Sequence, residues 1–320
     1  MTSKPKHDYR RPQRPVVFGL WPLAGVTTIG VQHDTAIATL HQAFDSGIDA
    51  FDTAFSYGRD GESDRRLGSV LKDRGIDRDS ITVISKVSQR YDDSGERYVD
   101  ASPGQIVRDA EASLQRIGID HFDLLMLHSP DPAVDIQASI DALEGMRERG
   151  LCDAIGVCNV NAIQFAACLK SAPIAALQCP LNVLQRDSLD TLVAIARRHS
   201  VDVYVFWTLM KGLLAGGIGR DHQFAAGDSR PGYDIFQGLK RESAHRVVDA
   251  LGILAKREST TIAQLAIGWA VSQPGITAAL VGGHRPEQIA ETAPTPRLNA
   301  EVLAEIQSMV DTATTAQDID

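Results

Sequence analysis

Three ionisable side chains lie at the carboxyl ends of three consecutive apolar segments: Asp52, Lys86 and His128. Side chains of an extended strand alternate between its two faces, so residues two and four positions earlier share a face with each of them. Those earlier residues are mostly apolar. Tyr57 follows Asp52 by five residues, in a segment that could fold back over the same place. A carboxylate, an ammonium, an imidazole and a phenol brought together form a set for proton transfer.

Each of these residues also has an ordinary structural explanation. A lone Asp at a strand end commonly forms a turn or caps a helix. A lone Lys usually reaches solvent, and a lone His is usually a hydrogen-bonded structural residue. The coincidence on three neighbouring segments favours one shared site over three separate structural roles.

The positions of these side chains depend on eight short apolar segments that alternate with amphipathic ones. The apolar segments, each predicted to form a strand, are Val16–Trp21, Ile48–Thr53, Ile81–Val87, Phe122–His128, Cys152–Asn159, Ile174–Leu181, Val201–Trp207 and Thr277–Gly283. The amphipathic segments, each predicted to form a helix, are Thr35–Ser46, Glu62–Arg74, Pro103–Ile117, Ile136–Arg149, Asn161–Ser171 and Ser188–His199. Near-continuous apolar strands separated by helices predict parallel pairing with both faces covered.

Eight such strands without a linker predict an α/β fold, a closed (β/α)8 TIM barrel, with an open doubly wound sheet as the alternative. We expect a polar N-terminal arm, residues 1–15, and one barrel domain, residues 16–320. A Gly-rich stretch from Trp207 to about Gly238 predicts a long loop after the seventh strand. The remaining helices, which form a C-terminal helical segment, are predicted over Glu242–Glu258, Thr261–Ser272 and Asn299–Thr312.

Composition and charge exclude several classes of protein. With 43% hydrophobic and 23% charged residues, the 320-residue chain is typical of a globular protein. Its net charge of −9 argues against a nucleic-acid or anionic-membrane partner. The sequence contains no run of about 18 apolar residues, so no membrane span is predicted. Residues 1–15 lack the apolar core of a secretory signal. We therefore expect a soluble, cytoplasmic protein.

The cysteines and histidines give no sign of a disulfide framework or a metal site. Four cysteines lie within apolar segments without CxxC spacing, which indicates reduced thiols: Cys152, Cys158, Cys168 and Cys179. None of the nine histidines forms an HxH or HExxH pair, so no metal is predicted. The chain also lacks a GxGxxG motif after a strand, which argues against a Rossmann dinucleotide site.

Several segments resemble motifs of the aldo-keto reductase family. Gly47–Gly58 is similar to the family's segment around its catalytic Asp and Tyr, and Gly61–Gly68 continues that motif. Three further segments are similar to the catalytic-lysine strand, the catalytic-histidine strand and the nicotinamide carboxamide segment: Ile84–Lys86, Leu124–Asp131 and Ile155–Asn159. The resemblance extends from about Val16 to Glu291, nearly the whole chain.

The resemblance implies that the protein reduces an aldehyde or ketone, or catalyses the reverse reaction, by hydride transfer with NADP(H), or alternatively NAD(H). In such a site Tyr57 gives a proton to the carbonyl oxygen. Lys86 is expected to lower the pKa of this phenol, which is about 10 when unperturbed. Asp52 pairs with Lys86 and keeps it charged, and His128 donates a hydrogen bond to the carbonyl oxygen.

The resemblance also implies a cofactor site across the barrel mouth. Asn159 and Gln178 hold the nicotinamide carboxamide, because side-chain amides offer both a donor and an acceptor. Phe206 takes the stacking place against the nicotinamide, with Trp207 as a competitor. The pyrophosphate is expected along Leu209, Lys211 and Gly212. The adenosine end is expected along Gly282, His284, Arg285, Gln288 and Glu291, with His284 and Arg285 contacting the 2′-phosphate.

The substrate is expected to be a small carbonyl or sugar-like molecule bounded by Trp21 and Trp207.

Other functions fit parts of the pattern. Lys86 as a Schiff-base nucleophile would make the protein an aldolase, although Asp52 beside it keeps a lysine protonated. A metal-dependent hydrolase is weaker, since its histidine pairs are missing. The fold also serves regulatory beta subunits of potassium channels, where bound cofactor acts as a redox sensor with little turnover. The sequence does not predict the oligomeric state.

Overall fold

Eight parallel strands close into a barrel in the order in which they follow one another along the chain. The computed structural model describes residues 9–25 and 30–315. The barrel strands, numbered β1 to β8, are Val16–Gly19, Ala50–Asp52, Thr82–Val87, Phe122–Leu127, Cys152–Cys158, Ala176–Pro180, Asp202–Phe206 and Ala278–Val281. Strand β1 pairs with β8, Val17 beside Leu280, so every barrel strand has two partners. The predicted closed (β/α)8 barrel is confirmed, and the open sheet is excluded.

Helices connect the strands and cover the outside of the barrel. Their bounds are Trp21–Ala24, His33–Asp45, Glu62–Arg74, Pro103–Ile117, Ile136–Glu148, Ala162–Ser171, Ala194–His199, Gly238–Arg257, Ile262–Ser272, Pro286–Thr292 and Ala300–Thr315. Pro103 starts its helix without an amide hydrogen that needs a partner, and Gly118 ends it in the left-handed conformation, with φ 81°. Within the described ranges, no helix combines the length and the apolar character that crossing a membrane requires.

The predicted helices lie within a few residues of their expected bounds, with one difference in type. The segment predicted as the helix Ser188–His199 begins with a wider π-helical turn, Leu189–Val193, before the α-helix. The long loop predicted after β7 is found, and it contains three short 3-10 turns: Met210–Ala215, Arg230–Gly232 and Asp234–Phe236.

The barrel interior is a compact cluster built from alternate residues of the strands. Its members are Val17, Ala50, Ile84, Leu124, Met126, Ala154, Ala176, Tyr204 and Ala278, together with Tyr9. The residues between them pack outward against the helices in a second, larger cluster. Asp52, Lys86 and His128 continue the inward-facing series at the carboxyl ends of β2, β3 and β4, as their spacing predicts.

Two elements near the barrel mouth differ from the expected pattern. Strand β1 ends at Gly19, and Trp21 begins a short helix instead of ending the strand. After β3 the chain forms an antiparallel hairpin, with Gln89–Tyr91 paired to Arg97–Val99. The hairpin strands are short and mostly polar, so no apolar alternation in the sequence marks them.

The opposite end of the barrel is closed by Tyr9, which is only 3% exposed. Its hydroxyl lies 2.8 Å from the hydroxyl of Tyr204 and donates to Asp202 Oδ2, also at 2.8 Å. Arg11 donates to the same carboxylate oxygen at 2.6 Å. Residues 9–15 of the segment expected to form a polar arm therefore begin with a residue of the barrel core, and residues 1–8 lie outside the described part of the chain.

We predict that Tyr9→Phe destabilises the fold by about 1–3 kcal/mol, because buried Tyr204 and half-buried Asp202 each lose a hydrogen-bond partner. The measurement is the free energy of unfolding in urea. Tyr91→Phe is the matched control, since the Tyr91 hydroxyl has no hydrogen-bond partner among the described residues. Equal stability of the two variants would contradict the bridging role of Tyr9.

Candidate active site

Lys86 is the centre of the group of ionisable residues at the barrel mouth. It ends the inward-facing series of β3 and is 1% exposed. Its ammonium donates to Asp52 Oδ1 at 2.5 Å, to the carbonyl of Thr53 at 2.9 Å and to the hydroxyl of Tyr57 at 3.1 Å. All three ammonium hydrogens therefore have acceptors, which a buried lysine needs.

The buried ion pair between Lys86 and Asp52 sets the charges at this place. Burial lowers the pKa of Lys86, but Asp52 and Tyr57 raise it more, so the net direction is upward. The second carboxylate oxygen of Asp52 accepts from Gln178 Nε2 at 2.7 Å. With both oxygens of Asp52 and all hydrogens of Lys86 bonded, the ammonium is charged and fixed in direction.

Tyr57 lies on the loop after β2 and remains protonated at neutral pH. Burial raises the pKa of Tyr57 to about 12, although the Lys86 charge acts to lower it. The sequence predicts that Lys86 lowers the pKa of Tyr57. The Lys86 charge does act in that direction, but the net pKa of Tyr57 is raised. The cause is desolvation, which disfavours the phenolate more than one ammonium favours it.

His128 faces Tyr57 across the mouth, with ring centres 5.7 Å apart. Burial, together with the charges of Lys86 and Arg97, lowers the pKa of His128 well below its ordinary value. The imidazole is therefore neutral. Its Nδ1 is buried and has no partner within the described residues. Because a buried N–H without an acceptor is costly, we assign the proton to Nε2.

A buried network under the Tyr57 loop holds it in place. Asp64 accepts from the hydroxyls of Thr53 at 2.6 Å and Ser113 at 2.7 Å. The carbonyl of Thr53 is in turn an acceptor for Lys86. Reasoning from the sequence did not single out Thr53 or Ser113 as part of the site. The Ser-Asp pair in the motif after Tyr57 was the available signal.

The residues expected to hold a carboxamide lie at the ends of β5 and β6. Asn159 is exposed, has a φ of 53°, and donates from Nδ2 to the carbonyl of His128 at 2.9 Å. Gln178 uses one amide hydrogen for Asp52. Cys158, which stands where the family usually has Ser, is buried beside them, and burial raises the pKa of its thiol to about 12.

Strand parity separates the two aromatic residues at the end of β7, Phe206 and Trp207. Phe206 is two residues after Tyr204, which faces the barrel interior, so Phe206 lies on the mouth side. Trp207 is 37% exposed, has a φ of 59°, and meets Phe206 edge to face with ring centres 5.4 Å apart. The two rings therefore occupy different sides of the strand end.

The segment after these aromatic residues has an unusual backbone. Met210, Lys211 and Gly212 have φ values of 41°, 53° and 95°, and Leu209 precedes them at the start of the turn. The Lys211 ammonium lies 4.6 Å from the ring centre of Trp207 and 4.2 Å from that of Tyr233.

Arg230, from the far part of the same loop, approaches this turn and donates to the carbonyl of Lys211 at 3.5 Å. It also lowers the pKa of His284 by its charge, after the larger effect of burial. Arg230 was not predicted from the sequence, because its distance along the chain from His284 gives no sign that the two residues are near.

The last loop connects β8 to the helix Pro286–Thr292. A Cβ on Gly282 would lie 2.5 Å from Pro22 Cγ, so packing against the short first helix explains this glycine. The amide of His284 donates to Gln288 Oε1 at 2.8 Å. Arg285 is exposed at the start of the helix, and the Glu291 carbonyl accepts from Gln264 at 2.8 Å.

Along the mouth, this row of groups fits a nicotinamide dinucleotide. Side-chain amides suit a carboxamide, the ring of Phe206 suits a planar heterocycle, and the cations Lys211, Arg230 and Arg285 suit phosphates. No group of three or more side chains within residues 9–25 and 30–315 has the arrangement of a metal site.

Trp21 lies at the rim beside these residues. Its ring centre is 4.9 Å from that of Tyr57, and the Arg97 guanidinium lies 5.2 Å from its centre on the side of the hairpin. The structure thus brings together Tyr57, Lys86, Asp52, His128, Gln178 and Trp21, while the residues expected for the adenosine end lie around the loop after β8.

We predict that Lys86→Met lowers the free energy of unfolding by about 3–5 kcal/mol near pH 7, because Asp52 becomes a buried carboxylate without its ammonium partner. Burial raises the pKa of Asp52. As the pH falls through this raised pKa, Asp52 takes up a proton, and the deficit should shrink. Urea unfolding near pH 7 and at a lower pH measures this.

The control for this variant is the double change Asp52→Asn with Lys86→Met, which removes both charges and should recover most of the loss. A single variant as stable as the unaltered protein at both pH values would refute the ion pair as a structural element.

Comparison with known proteins agrees with the resemblance seen in the sequence. The chain matches the model of the aldo/keto reductase family over residues 15–311. It is 30% identical over 273 residues to the aldo-keto reductase YhdN of Bacillus subtilis (strain 168), covering 85% of this chain and 82% of that protein. It is 29% identical over 299 residues to the NADH-specific methylglyoxal reductase of Escherichia coli (strain K12), covering 88% and 89%.

A solved structure, that of a glycerol dehydrogenase from Gluconobacter oxydans, superposes with a TM-score of 0.85 at 26% identity, covering 96% of each chain. Sequence match and backbone therefore agree over nearly the full length. The chain belongs to the aldo-keto reductase family.

Proposed function

We propose that this chain reduces the carbonyl of a small aldehyde or ketone with Tyr57 as the proton donor and with NADPH as the preferred cofactor. Membership of the family supplies the reaction class, carbonyl reduction with a nicotinamide cofactor. The observation that carries the assignment of roles is the chain of hydrogen bonds from Asp52 to Lys86 to Tyr57, with His128 opposite.

Proton transfer is the task of Tyr57 in this proposal. A nicotinamide cofactor held by Asn159, Gln178 and Phe206 would supply a hydride to the carbonyl carbon, and negative charge would develop on the carbonyl oxygen. Tyr57 is protonated at neutral pH and gives its proton to that oxygen. Lys86, 3.1 Å from the phenol oxygen, stabilises the phenolate that remains. Asp52 keeps the ammonium charged throughout.

His128 orients the substrate. A neutral imidazole with its proton on Nε2 donates one hydrogen bond toward the mouth, where the carbonyl oxygen lies during reduction. A neutral donor at this place avoids a second positive charge beside Lys86. The charge of Lys86 is itself one of the causes, after burial, of the lowered pKa of His128.

The cofactor residues act as follows in this proposal. Asn159 and Gln178 bind the carboxamide with the amide donors and acceptors that their present hydrogen bonds leave over. Phe206, on the mouth side of β7, stacks against the nicotinamide, and Trp207 does not. The pyrophosphate would lie along Leu209 and Gly212, where the glycine lets the backbone approach closely, with Lys211 supplying charge. Gly282 would lie at the adenosine end.

Preference for NADPH would come from His284, Arg285 and Arg230, which lie around the loop after β8. Gln288 and Glu291 face the adenine in this arrangement. The relative from Escherichia coli is named NADH-specific, so the proposed preference for NADPH would distinguish this chain from that relative. Trp21 and Trp207 form the walls of the substrate site in this proposal. The four buried free cysteines agree with a cytoplasmic location.

We predict that Tyr57→Phe lowers kcat by about 10²–10⁴-fold while the Kd for NADPH changes little, because the phenol acts only as the proton donor. Steady-state oxidation of NADPH by a reactive aldehyde and a fluorescence titration measure the two quantities. A variant within threefold of the original kcat, when chemistry limits turnover, would reject Tyr57 as the donor. Tight cofactor binding by the unaltered protein without turnover would instead favour the redox-sensing regulatory function.

We predict that Arg285→Ala raises the Kd for NADPH by about tenfold and leaves that for NADH nearly unchanged, because a charge-assisted hydrogen bond to the 2′-phosphate is lost. Arg230→Ala should act in the same direction. Since Arg285 is exposed, the preference should shrink as the salt concentration rises. Lys170→Ala, which removes an exposed cation from an outer helix, is the control. Equal weakening of both cofactors would show that Arg285 does not contact the 2′-phosphate.

A further inference from the structure

The hairpin after β3 places an arginine at the rim of the mouth. The Arg97 guanidinium lies over the ring of Trp21, whose centre is 4.9 Å from that of Tyr57. Its charge also contributes to the lowered pKa of His128. Arg97 therefore acts directly on His128 and contacts Tyr57 only through Trp21, and none of the roles assigned above uses it.

Arg97 is held in place by neutral groups. It donates from Nη2 to Gln89 Oε1, and Gln89 Nε2 donates to the hydroxyl of Ser129 at 2.6 Å, directly after His128. Within residues 9–25 and 30–315 no carboxylate forms an ion pair with Arg97. A guanidinium has five N–H donors, so a positioned arginine with one neutral partner keeps donors for a ligand.

Two further donors lie at the same hairpin. Tyr91 is paired directly opposite Arg97, and its buried hydroxyl has no hydrogen-bond partner among the described residues. The guanidinium of Arg59 lies against Gly95 at the turn of the hairpin. Arg97 and Arg59 both act electrostatically on Tyr91. Glu62, whose Oε2 accepts from the amide of Asp60, acts on it with the opposite sign, so two arginines there face one carboxylate.

We propose that Arg97, with Tyr91 and Arg59, forms an anion subsite that selects short aldehydes or ketones carrying a carboxylate or a phosphate. The inference rests on the proposed function, because the carbonyl end of the same molecule lies at Tyr57 and His128. The reaction itself is unchanged: a hydride is added to the carbonyl carbon, and Tyr57 gives a proton to the carbonyl oxygen. The anionic group remains bound to the subsite and takes no part in bond making.

Trp21 fits this arrangement as the wall between the two ends of the substrate. The contact with the indole and the hydrogen bond to Gln89 hold the guanidinium, and its remaining N–H groups can form paired hydrogen bonds with a carboxylate or phosphate. Arg97 is exposed, so the contact is open to solvent and its strength should fall as salt is added.

The test compares matched substrates in the cofactor-loaded enzyme. 4-Oxobutanoate is paired with its methyl ester, and glyceraldehyde 3-phosphate with glyceraldehyde, so that each pair differs in one anionic group. We expect higher kcat/KM for the anionic member of at least one pair, and the pair that shows it identifies the carboxylate or the phosphate. In Arg97→Gln this advantage should fall by about 10- to 100-fold, mainly through KM.

Two variants separate a charge effect from a structural one. Arg97→Lys should keep part of the advantage, because it keeps the charge and loses the paired hydrogen bonds. Arg108→Gln, a change at an exposed arginine of an outer helix bonded to Gln105, should leave the advantage unchanged. An advantage for the neutral substrates, or a change of less than threefold in Arg97→Gln, would overturn the proposal.

A binding measurement keeps this inference apart from the proposed function. Calorimetric titration of the NADPH-loaded protein with succinate, which has no carbonyl to reduce, reports on a carboxylate subsite without turnover. Absence of turnover with all four carbonyl compounds would defeat the proposed function. Succinate binding that is lost in Arg97→Gln would still support the subsite, and no succinate binding together with no anionic preference would reject it.

Discussion

The buried ion pair between Lys86 and Asp52 is the interaction on which the rest of the site depends. Taking both charges out of water costs several kcal/mol for each ion, and only complete hydrogen bonding offsets that cost. Here Lys86 has three acceptors and Asp52 has a second donor in Gln178. The pair therefore fixes β2, β3 and β6 relative to one another at their carboxyl ends, and Tyr57 is positioned by the same ammonium.

One low-dielectric environment explains why the neighbouring groups differ in charge. Burial disfavours the charged form of every ionisable group at the mouth. Lys86 stays charged because Asp52 is in contact. Tyr57 stays protonated because desolvation outweighs the effect of the Lys86 charge, and His128 stays neutral because burial and the neighbouring cations both oppose its protonation. A proton donor and a neutral hydrogen-bond donor beside one fixed cation are what reduction of a carbonyl needs, since negative charge develops on a single oxygen.

The sequence predicts those features that follow from local periodicity, and misses those that depend on contacts between distant segments. The period of two in three strands was enough to bring Asp52, Lys86 and His128 to one end of a barrel. It could not reveal the hairpin that carries Arg97, whose residues lack apolar alternation, nor the approach of Arg230 to His284 across a long loop. Trp21 was predicted as the end of a strand because a helix of four residues is too short for a periodic signal.

The charge of the whole chain makes the local cations more important. A net charge of −9 repels both a phosphorylated cofactor and an anionic substrate at long range, so binding has to come from donors at short range. Added salt weakens that repulsion and the short-range contacts alike. The contacts lose most where the cation is exposed, as at Arg97 and Arg285, and less at Arg230, which is partly buried beside Asp228. Cofactor and substrate sites on one acidic barrel are therefore expected to differ in salt dependence according to the burial of their arginines.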